Sequence, residues 1–531
     1  MRACPWTPCN GTPASTFPTS SWPVCATILP PVAAGGDQSR LAAAASRASR
    51  LSPLALPSIL VVAAVNFLWQ LGSSSYYVDE ALSIEHALPP LRDIDAVVRM
   101  SESTPWTYFV GLHEWIYRTG SQAEWVLRLP SALAGLGLVA AVYWLGRLLA
   151  GRSAALIAAS FVALSPLVLQ YAQQVRVYVF LMLAVTVAVA ASVSATRSTR
   201  RPGRWLLVAG AASVLATWLH YTGVLVIAPL AIWVGLQPGL RRSARAAFIA
   251  TNALALIPLV PLYLDQRSHS PEGQLVGIPG LTWTTAAQVL GTPFDGRTIA
   301  ELDAFRVIGV LVIATSVVAV TVVWRRRRLE SWGLLSIIAV APLAALLALG
   351  IAGQHVVLTR YTAVGAPFLL IILAIAVTRL PLRWGGALAI AAVAVAIAGV
   401  VRTHQPSGYY LDAKGALDFV QQHRKPNDTV ITPGSPGSEP QFNYYAARRL
   451  RPLPRVVGGN NPQAVRAILR AKQRTWTITA RPAGADAIAN IRPSLRRALA
   501  PLGYDIGAIR LFPSSVPLLV TLLKPLRRRP A

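Results

Sequence analysis

Eleven long apolar segments, none containing Asp or Glu, constrain the fold of this chain more than any other feature. A helix needs about 20 apolar residues to cross a bilayer, and a carboxylate buried in hydrocarbon is costly. Charged residues make up 13% of the chain, against about 25% in soluble domains. We therefore predict a mainly α fold, a polytopic bundle of transmembrane helices within residues 51–402. The segments are 54–71, 129–149, 153–171, 177–194, 205–219, 223–236, 246–264, 305–324, 332–350, 361–378 and 384–401.

Arginines at the ends of these segments predict the orientation. Cytoplasmic loops of membrane proteins are enriched in Lys and Arg, so the basic segment before the first span places the N-terminus in the cytoplasm. Every second loop is then basic, which predicts a multi-pass protein of the plasma (inner) membrane. The net charge of +28 is explained by this pattern and not by nucleic-acid binding. The arginines are Arg40, Arg47 and Arg50, then Arg147 and Arg152, Arg197 to Arg204, Arg241 to Arg245, Arg325 to Arg328, and Arg379 and Arg383.

The two ends of the chain differ from the apolar region. Residues 1–50 are rich in Pro, Ser, Thr and Ala and are predicted to be disordered. All three cysteines lie in this segment, so no disulfide framework or cysteine metal site is expected elsewhere. Residues 403–531 alternate helical and β-rich patterns, which predicts a small α/β domain with a basic tail. Because the number of predicted spans is odd, this C-terminal domain is expected to be extracytoplasmic.

The loop 72–128, called the first loop below, is predicted to be external and carries eight acidic residues. Asp79 and Glu80 follow the first span closely, where a carboxylate can accept the proton of an attacking hydroxyl. Glu102 is expected to converge with Asp79 from the far end of the same loop. These three residues are the predicted catalytic group. The alternatives are that Asp79 caps a helix beginning at Glu80 and that Glu102 is an ordinary charge at a helix N-terminus.

Two arginines, Arg176 and Arg360, lie on the predicted external side and so break the positive-inside pattern. A guanidinium binds phosphate through a two-pronged set of hydrogen bonds, so a phosphate site is predicted here. The alternative for Arg176 is an ion pair with a carboxylate of the loop. Tyr178 and Tyr361 accompany the arginines in this prediction, and Gln174, His220 and Tyr221 are further candidates. For a lone histidine at a helix end such as His220, a structural role is the alternative.

Five motifs between residues 55 and 400 resemble the family 39 glycosyltransferases of the GT-C superfamily. That family includes bacterial relatives of protein O-mannosyltransferases and of lipid A aminoarabinose transferases. The motifs are Asp79-Glu80, the segment 123–132 (AEWVLRLPSA), Ser165-Pro166 with 173–178 (QQVRVY), 219–222 (LHYT) and Arg360-Tyr361. The resemblance implies a polyprenyl-phosphate sugar donor and an extracytoplasmic active site beneath the first loop. It also implies that Asp79 is the catalytic or metal-proximal acid, with Glu80 beside it, and that Arg176 and Arg360 face the donor phosphate.

The chain departs from the family pattern at two places. The family usually has Pro-Pro-Leu in the first loop, where this chain has Thr104-Pro105-Trp106. The family often has Gln-Glu-x-Arg before the fourth span, where Gln174 replaces the glutamate. Loss of that carboxylate leaves metal dependence open. The cofactor is unknown, and a divalent cation (Mg²⁺ or Mn²⁺) held by Asp79 and Glu102 is one option.

The predicted activity is an inverting transfer of a hexosyl or pentosyl group from a polyprenyl-phosphate carrier in the cell envelope. Mannose is the leading sugar and arabinose the alternative, while the acceptor is a protein, a lipid or a glycan. Membrane lipids are the other expected partners. One rival is a flippase or transporter for lipid-linked sugar, which predicts charged residues at mid-membrane depth and repeated halves. Another is a non-catalytic scaffold that binds lipid-linked sugar, which the change at Gln174 leaves open.

Overall fold

The computed structural model describes residues 53–269, 282, 314, 330–353, 359–405, 411–434, 439–480, 488–512 and 517–526. Three predictions concern residues that lie outside these ranges, wholly or in large part. They are the N-terminal segment 1–50, the predicted span 305–324 and the basic tail 527–529.

Helices dominate the part of the chain that the structure describes, as predicted. The membrane region contains α1 (Ala55–Leu68), α2 (Val78–Ala87), α3 (Ile94–Ser101), α4 (Thr107–Thr119), α5 (Glu124–Ala150), α6 (Arg152–Ala163), α7 (Pro166–Ala172), α8 (Tyr178–Arg197), α9 (Pro202–Leu219), α10 (Val224–Gly235), α11 (Arg242–Leu256), α12 (Leu259–His269), α13 (Glu330–Ile351), α14 (Thr359–Thr362), α15 (Ala366–Arg379) and α16 (Leu382–His404). Helices α2, α3 and α4 belong to the first loop and connect two apolar helices.

The apolar helices make this chain a multi-pass membrane protein. In the described ranges, six helical segments are long and apolar enough to cross a membrane, or seven if the pair α6–α7, bent by 59°, forms one span. The six are Glu124–Ala150, Tyr178–Arg197, Arg242–His269, Gly333–Ile351, Arg360–Arg379 and Leu382–His404. Helix α1 and the segment Tyr221–Gly235 are apolar but shorter. The count of eleven spans therefore stays a prediction.

Helix α8 lies at the centre of the bundle. In its most apolar stretch 78% of the residues are buried, against 28% in α16 and 22% in Arg242–His269. Small side chains such as Ala188 and Ala191 let neighbouring helices approach closely. A similar close approach occurs at Gly135 of α5, where a Cβ atom would lie 3.1 Å from the ring of Phe67. Small residues thus let α1 pack closely against α5, which also packs against α8.

The C-terminal domain contains a five-stranded sheet, so the α/β prediction is correct. The strands are β1 (Thr429–Thr432), β2 (Val456–Gly458), β3 (Thr475–Ala480), β4 (Tyr504–Phe512) and β5 (Leu518–Pro525), in the order β2-β1-β3-β5-β4. The first three strands are parallel, and β5 pairs antiparallel with both β3 and β4. The helices of the domain are α17 (Ala413–His423), α18 (Glu439–Arg449), α19 (Pro462–Arg470) and α20 (Ile488–Leu499). Helix α18 packs against α2, which joins the domain to the first loop.

Candidate active site

Helix α2 presents one polar face to the predicted phosphate-binding arginines. Asp79, Ser83 and His86 are four and three residues apart, a spacing that places side chains on one face of a helix. The helix begins after Tyr77, so Asp79 lies in its first turn and is not the N-cap that the alternative reading proposed. The Asp79 Oδ2 atom accepts a hydrogen bond from Arg360 Nη1 at 2.7 Å. The Asp79 carboxylate of the first loop is thereby paired with the Arg360 guanidinium at the start of the helical segment Arg360–Arg379.

Arg176 joins the same face of α2 to Glu102. Its Nη1 atom donates to the Asp79 carbonyl oxygen at 3.1 Å and to Ser83 Oγ at 2.8 Å, and lies 3.6 Å from Glu102 Oε1. Glu102 in turn lies 3.3 Å from His86 Nδ1. Because Glu102 follows the last residue of α3, it is not the N-terminal helix charge of the alternative reading. The structure therefore brings Asp79, Glu102, Arg176 and Arg360 into one cluster.

The charge of Glu102 depends on the arginines around it. Burial acts to raise the pKa of this carboxyl group. Arg176, the hydrogen bond from His86 and the more distant Arg360 outweigh burial and hold the pKa below its ordinary value. Glu102 is accordingly an anion that balances part of the positive charge of the two arginines.

His220 is buried between the rings of Tyr178 and Tyr361, whose centroids lie 5.6 and 5.8 Å from its own. Its Nδ1 atom accepts a hydrogen bond from the Thr222 backbone N–H at 3.1 Å. Burial, together with the positive charges of Arg176 and Arg360, lowers the pKa of His220 to about 3. The ring is therefore neutral near pH 7. Since Nδ1 is an acceptor, the single ring proton is on Nε2, which makes that atom a hydrogen-bond donor.

Among the nitrogen donors of this cluster, Arg176 Nε, Arg360 Nε and His220 Nε2 lack an acceptor among the described residues. Each is buried, and a buried donor left without a partner costs about 1–3 kcal/mol. The rings of Tyr178 and Tyr361 lie against the two guanidinium groups, at 5.7 and 5.5 Å, and restrict their planes. Unpartnered nitrogen donors grouped around the same two tyrosine rings are suited to an anion.

Glu80 does not reach this cluster, contrary to the prediction that it is catalytic. Its side chain is 0% exposed, and its two oxygens accept hydrogen bonds from Arg128 Nε and Nη2 at 2.9 and 3.0 Å. The backbone N–H groups of Tyr77 and Val175 also donate to it, at 2.8 and 2.9 Å. The physical reason is that adjacent residues of a helix point in different directions. Asp79 faces the cluster, and Glu80 therefore faces the protein interior.

The structure places two further candidates, Tyr221 and Gln174, at different distances along the chain from the arginine cluster: Tyr221 bonds to α12, and Gln174 lies two residues before Arg176. Tyr221 donates to Gln266 Oε1 at 2.7 Å, and Gln266 Nε2 donates to the Thr104 carbonyl at 2.9 Å. Gln266 of α12 thus links Tyr221 to the first loop, and the Tyr221 hydroxyl is directed at Gln266 and not at the arginines. Gln174 is buried in the turn that carries Arg176.

The residues present do not fit a divalent cation. Asp79 and Glu102 supply two carboxylates, and each already faces an arginine. In the portion of the chain that is described, no group of three or more His, Cys, Asp or Glu residues is arranged to hold a metal ion. A divalent cation prefers several oxygen ligands without a competing positive charge, and the described residues of this cluster do not supply such a set.

The sequence reading missed three residues of this region: Ser83, His86 and Arg128. The signal for Ser83 and His86 was their spacing from Asp79, which places them on the same helix face. The signal for Arg128 was an arginine on the predicted external side of a span, the same exception that pointed to Arg176. These residues hold the cluster in place through Arg176, Glu102 and Glu80.

Comparisons with known proteins give a family match over part of the chain and structural matches over most of it. The family model described as dolichyl-phosphate-mannose-protein mannosyltransferase matches residues 112–264. The crystal structure of ArnT from Cupriavidus metallidurans in the apo state is 14% identical, with a TM-score of 0.52, and the match covers 90% of this chain and 98% of that one. The same protein bound to undecaprenyl phosphate is 13% identical, with the same TM-score and coverage.

A second neighbour is the Archaeoglobus fulgidus oligosaccharyltransferase tethered with an acceptor peptide. It is 13% identical, with a TM-score of 0.51, and the match covers 81% of this chain and 70% of that one. No curated protein sequence matches this chain. At these identities the structural likeness concerns the fold.

Proposed function

We propose that this membrane protein transfers a sugar from a polyprenyl-phosphate donor to an acceptor. The premise is its fold, which is that of the GT-C glycosyltransferase superfamily. The observation that carries the proposal is a group of buried nitrogen donors, Arg176 Nε, Arg360 Nε and His220 Nε2, that have no acceptor among the described residues and belong to the same cluster as the carboxylate of Asp79. They match the two requirements of the reaction, which are an anion site for the leaving phosphate and a base for the acceptor hydroxyl.

The phosphate is proposed to lie against Arg176, Arg360 and His220, with Tyr178 and Tyr361 holding the guanidinium planes. When the bond from the anomeric carbon to the phosphate oxygen breaks, the electron pair remains on the phosphate. Two guanidinium groups and a neutral N–H donor that are already in position stabilise this charge without reorganising. The ArnT structure with undecaprenyl phosphate supports a lipid phosphate as the ligand of this fold.

Asp79 is proposed to be the general base. Its Oδ2 atom is engaged by Arg360, and its side chain is 24% exposed, so the carboxylate is within reach of an acceptor hydroxyl. The acceptor oxygen attacks the anomeric carbon on the face opposite the phosphate while its proton passes to the carboxylate. The bond to the phosphate breaks in the same step, so the configuration at that carbon inverts.

Glu102, Glu80 and Gln174 are proposed to support the site without touching the reacting atoms. Glu102 lies 3.6 Å from Arg176 and 3.3 Å from His86, so it orients the guanidinium. Glu80 acts through Arg128, which ties the start of α2 to α5. Gln174, in the same turn as Arg176, is assigned to the support of that turn.

The finer assignments form part of the same proposal. Mannose is the leading sugar because the matching family model describes a mannosyltransferase, and arabinose is the alternative. The acceptor is a protein, a lipid or a glycan. The arginine pattern supports a plasma-membrane location with the N-terminus in the cytoplasm and the C-terminal domain outside.

The test uses the full chain in lipid nanodiscs with mannosyl and arabinosyl polyprenyl phosphates and acceptor fractions from the cell envelope. We expect release of polyprenyl phosphate to depend on an acceptor and to be lost in Asp79→Asn. Arg176→Lys is expected to weaken donor binding, whereas Arg118→Lys, on an exposed side chain of the same loop, is the matched control. Donor binding without transfer to any acceptor would favour the scaffold, and movement of intact donor across the bilayer would favour the flippase.

A further inference from the structure

The C-terminal domain contacts the chain segment that leads directly into α2. The Tyr445 hydroxyl, on α18, accepts a hydrogen bond from the Tyr76 backbone N–H at 2.7 Å and donates one to Glu124 Oε1 at 3.0 Å. Tyr445 is 2% exposed and Tyr76 is 0% exposed. A buried tyrosine hydroxyl therefore connects the C-terminal domain to both the first loop and the start of α5.

The preceding residue is held by the same domain. Ser75 Oγ donates to Asp412 Oδ1 at 3.2 Å and accepts from the Lys414 backbone N–H at 3.0 Å. The Lys414 ammonium group lies 3.3 Å from Glu124 Oε1, the atom to which Tyr445 donates. Two consecutive residues of the first loop, Ser75 and Tyr76, thus make hydrogen bonds to the C-terminal domain.

The membrane region holds this segment from the other side. Arg128 of α5 donates through Nη1 to the Ser74 carbonyl and through Nη2 to the Ser75 carbonyl, both at 3.1 Å. The next residue, Tyr77, is the N-cap of α2 and donates its N–H to Glu80. Residues 74–77 are therefore fixed between α5 and the C-terminal domain, and α2 continues from them without a flexible link.

We infer that Tyr445 is a positioning residue, through which the C-terminal domain sets the start of α2 and hence the place of Asp79 relative to Arg176 and Arg360. Only two residues separate Tyr76 from Asp79, so a shift of the Tyr76 backbone is carried directly into the first turn of the helix. Arg176 and Arg360 come from other parts of the bundle, and the hydrogen bonds of the Tyr445 hydroxyl go to Tyr76 and Glu124 and to neither arginine. The effect of Tyr445 on activity rests on the proposed function, whereas its effect on the segment 74–83 does not.

Tyr445→Phe removes the acceptor of the Tyr76 N–H and leaves that donor buried without a partner. A displacement of about 1 Å at a catalytic group can cost about 100-fold in rate. We expect the variant to lower kcat about tenfold or more and to change the KM for the donor less than about twofold. The KM should change less because the Tyr445 hydroxyl bonds to the Tyr76 backbone and to Glu124, and not to Arg176, Arg360 or His220.

The neighbouring tyrosine provides the matched control. Tyr444 is also 2% exposed, and its hydroxyl donates to Gln122 Oε1 at 3.3 Å. Tyr444→Phe therefore removes one hydroxyl from the same interface but leaves the bond to the Tyr76 backbone intact. We expect this variant to keep kcat within about twofold of the wild type, because a single peripheral hydrogen bond contributes only about 1 kcal/mol.

The experiment measures transfer kinetics and hydrogen–deuterium exchange of residues 74–83 in the full-length wild type, Tyr445→Phe and Tyr444→Phe. Lower kcat together with faster exchange in Tyr445→Phe alone supports the inference, and equal behaviour of the two variants overturns it. If the wild type transfers no sugar, the proposed function fails and the exchange comparison alone decides the positioning role. Should Tyr445→Phe not fold, Glu124→Ala removes the acceptor that orients the Tyr445 hydroxyl. Faster exchange in that variant supports the inference, and unchanged exchange overturns it.

Discussion

The Asp79 carboxylate and the Arg360 guanidinium are in contact at 2.7 Å although they lie 281 positions apart in the chain. This ion pair joins the first loop to the entry of the helical segment Arg360–Arg379. Arg360 also carries a buried Nε donor without an acceptor among the described residues. In the proposed reaction, the same guanidinium orients the base and binds the leaving phosphate.

Replacing the base is expected to abolish chemistry but not donor binding. Asp79→Asn keeps the size of the side chain and removes its ability to accept a proton, so we expect transfer to fall about 10²- to 10⁴-fold. Affinity for polyprenyl phosphate should stay within about threefold of the wild type, because the two arginines remain. Asp93→Asn, an exposed change in the same loop, is the control. A loss of binding equal to the loss of transfer would contradict the assignment of Asp79 as the base.

Breaking the buried pair Glu80–Arg128 is expected to destabilise the protein. Arg128→Met leaves the Glu80 carboxylate buried without its partner, which costs about 3–5 kcal/mol. The control Arg118→Met removes an exposed pair with Glu114, which contributes at most about 1 kcal/mol. Denaturation of both variants in detergent measures the difference. Similar stability of the two variants would show that the Glu80–Arg128 pair is not structurally important.

The lowered pKa of Glu102 predicts a loss of stability in acid. A carboxyl group whose pKa is lower in the folded protein stabilises it above the unfolded pKa, and this contribution is lost as the pH falls through the folded pKa. The loss should therefore begin below the ordinary value of 4.5. Melting temperatures between pH 7 and pH 3 should fall less steeply for Glu102→Gln than for the wild type. Glu114→Gln, on a more exposed carboxylate, should keep the wild-type slope.

His220 is expected to bind the donor phosphate as a neutral group. Its pKa of about 3 means that the ring carries no charge between pH 5 and pH 8. Donor affinity should therefore be constant over that range, since the phosphodiester of the donor does not titrate there. A histidine that became charged below pH 6.5 would instead strengthen binding as the pH falls.

Removing the Nε2–H group of His220 should weaken binding of the lipid-linked sugar. His220→Phe is expected to lower affinity about tenfold, because a hydrogen bond to a charged group contributes about 1.5–3 kcal/mol. His220→Gln, whose amide nitrogen reaches nearly the position of Nε2, should recover part of the loss. Equal binding by His220→Phe and the wild type would assign this histidine a structural role.

The orientation of the chain is testable by labelling single cysteines in intact cells. Cys4, Cys9 and Cys25 are first replaced by serine. We expect Tyr117→Cys, at a side chain that is 79% exposed in the first loop, to react with an impermeant thiol reagent from outside. Arg241→Cys should react only after the membrane is opened. Labelling in the reverse pattern would place Asp79 in the cytoplasm and remove the basis of the proposed reaction.

The sequence alone determined the mainly α, multi-pass character of the protein and the α/β nature of its C-terminal domain. Both follow from local patterns, because the length and composition of a segment decide whether lipid or water is its better solvent. The sequence also indicated that Asp79, Glu102, Arg176 and Arg360 are candidates for one site, since acids and arginines recur at the predicted external ends of spans.

Only the tertiary structure decided what the neighbouring residues do. The sequence placed Asp79 and Glu80 together in the predicted catalytic group, whereas the structure pairs Glu80 with the buried Arg128 and Asp79 with Arg360. The contact between Tyr445 and Tyr76 joins residues 369 positions apart, and no periodic pattern announces it. Long-range contacts of this kind depend on how the helices and the C-terminal domain pack together. Side-chain patterns along the chain report the environment of a segment and not its partners.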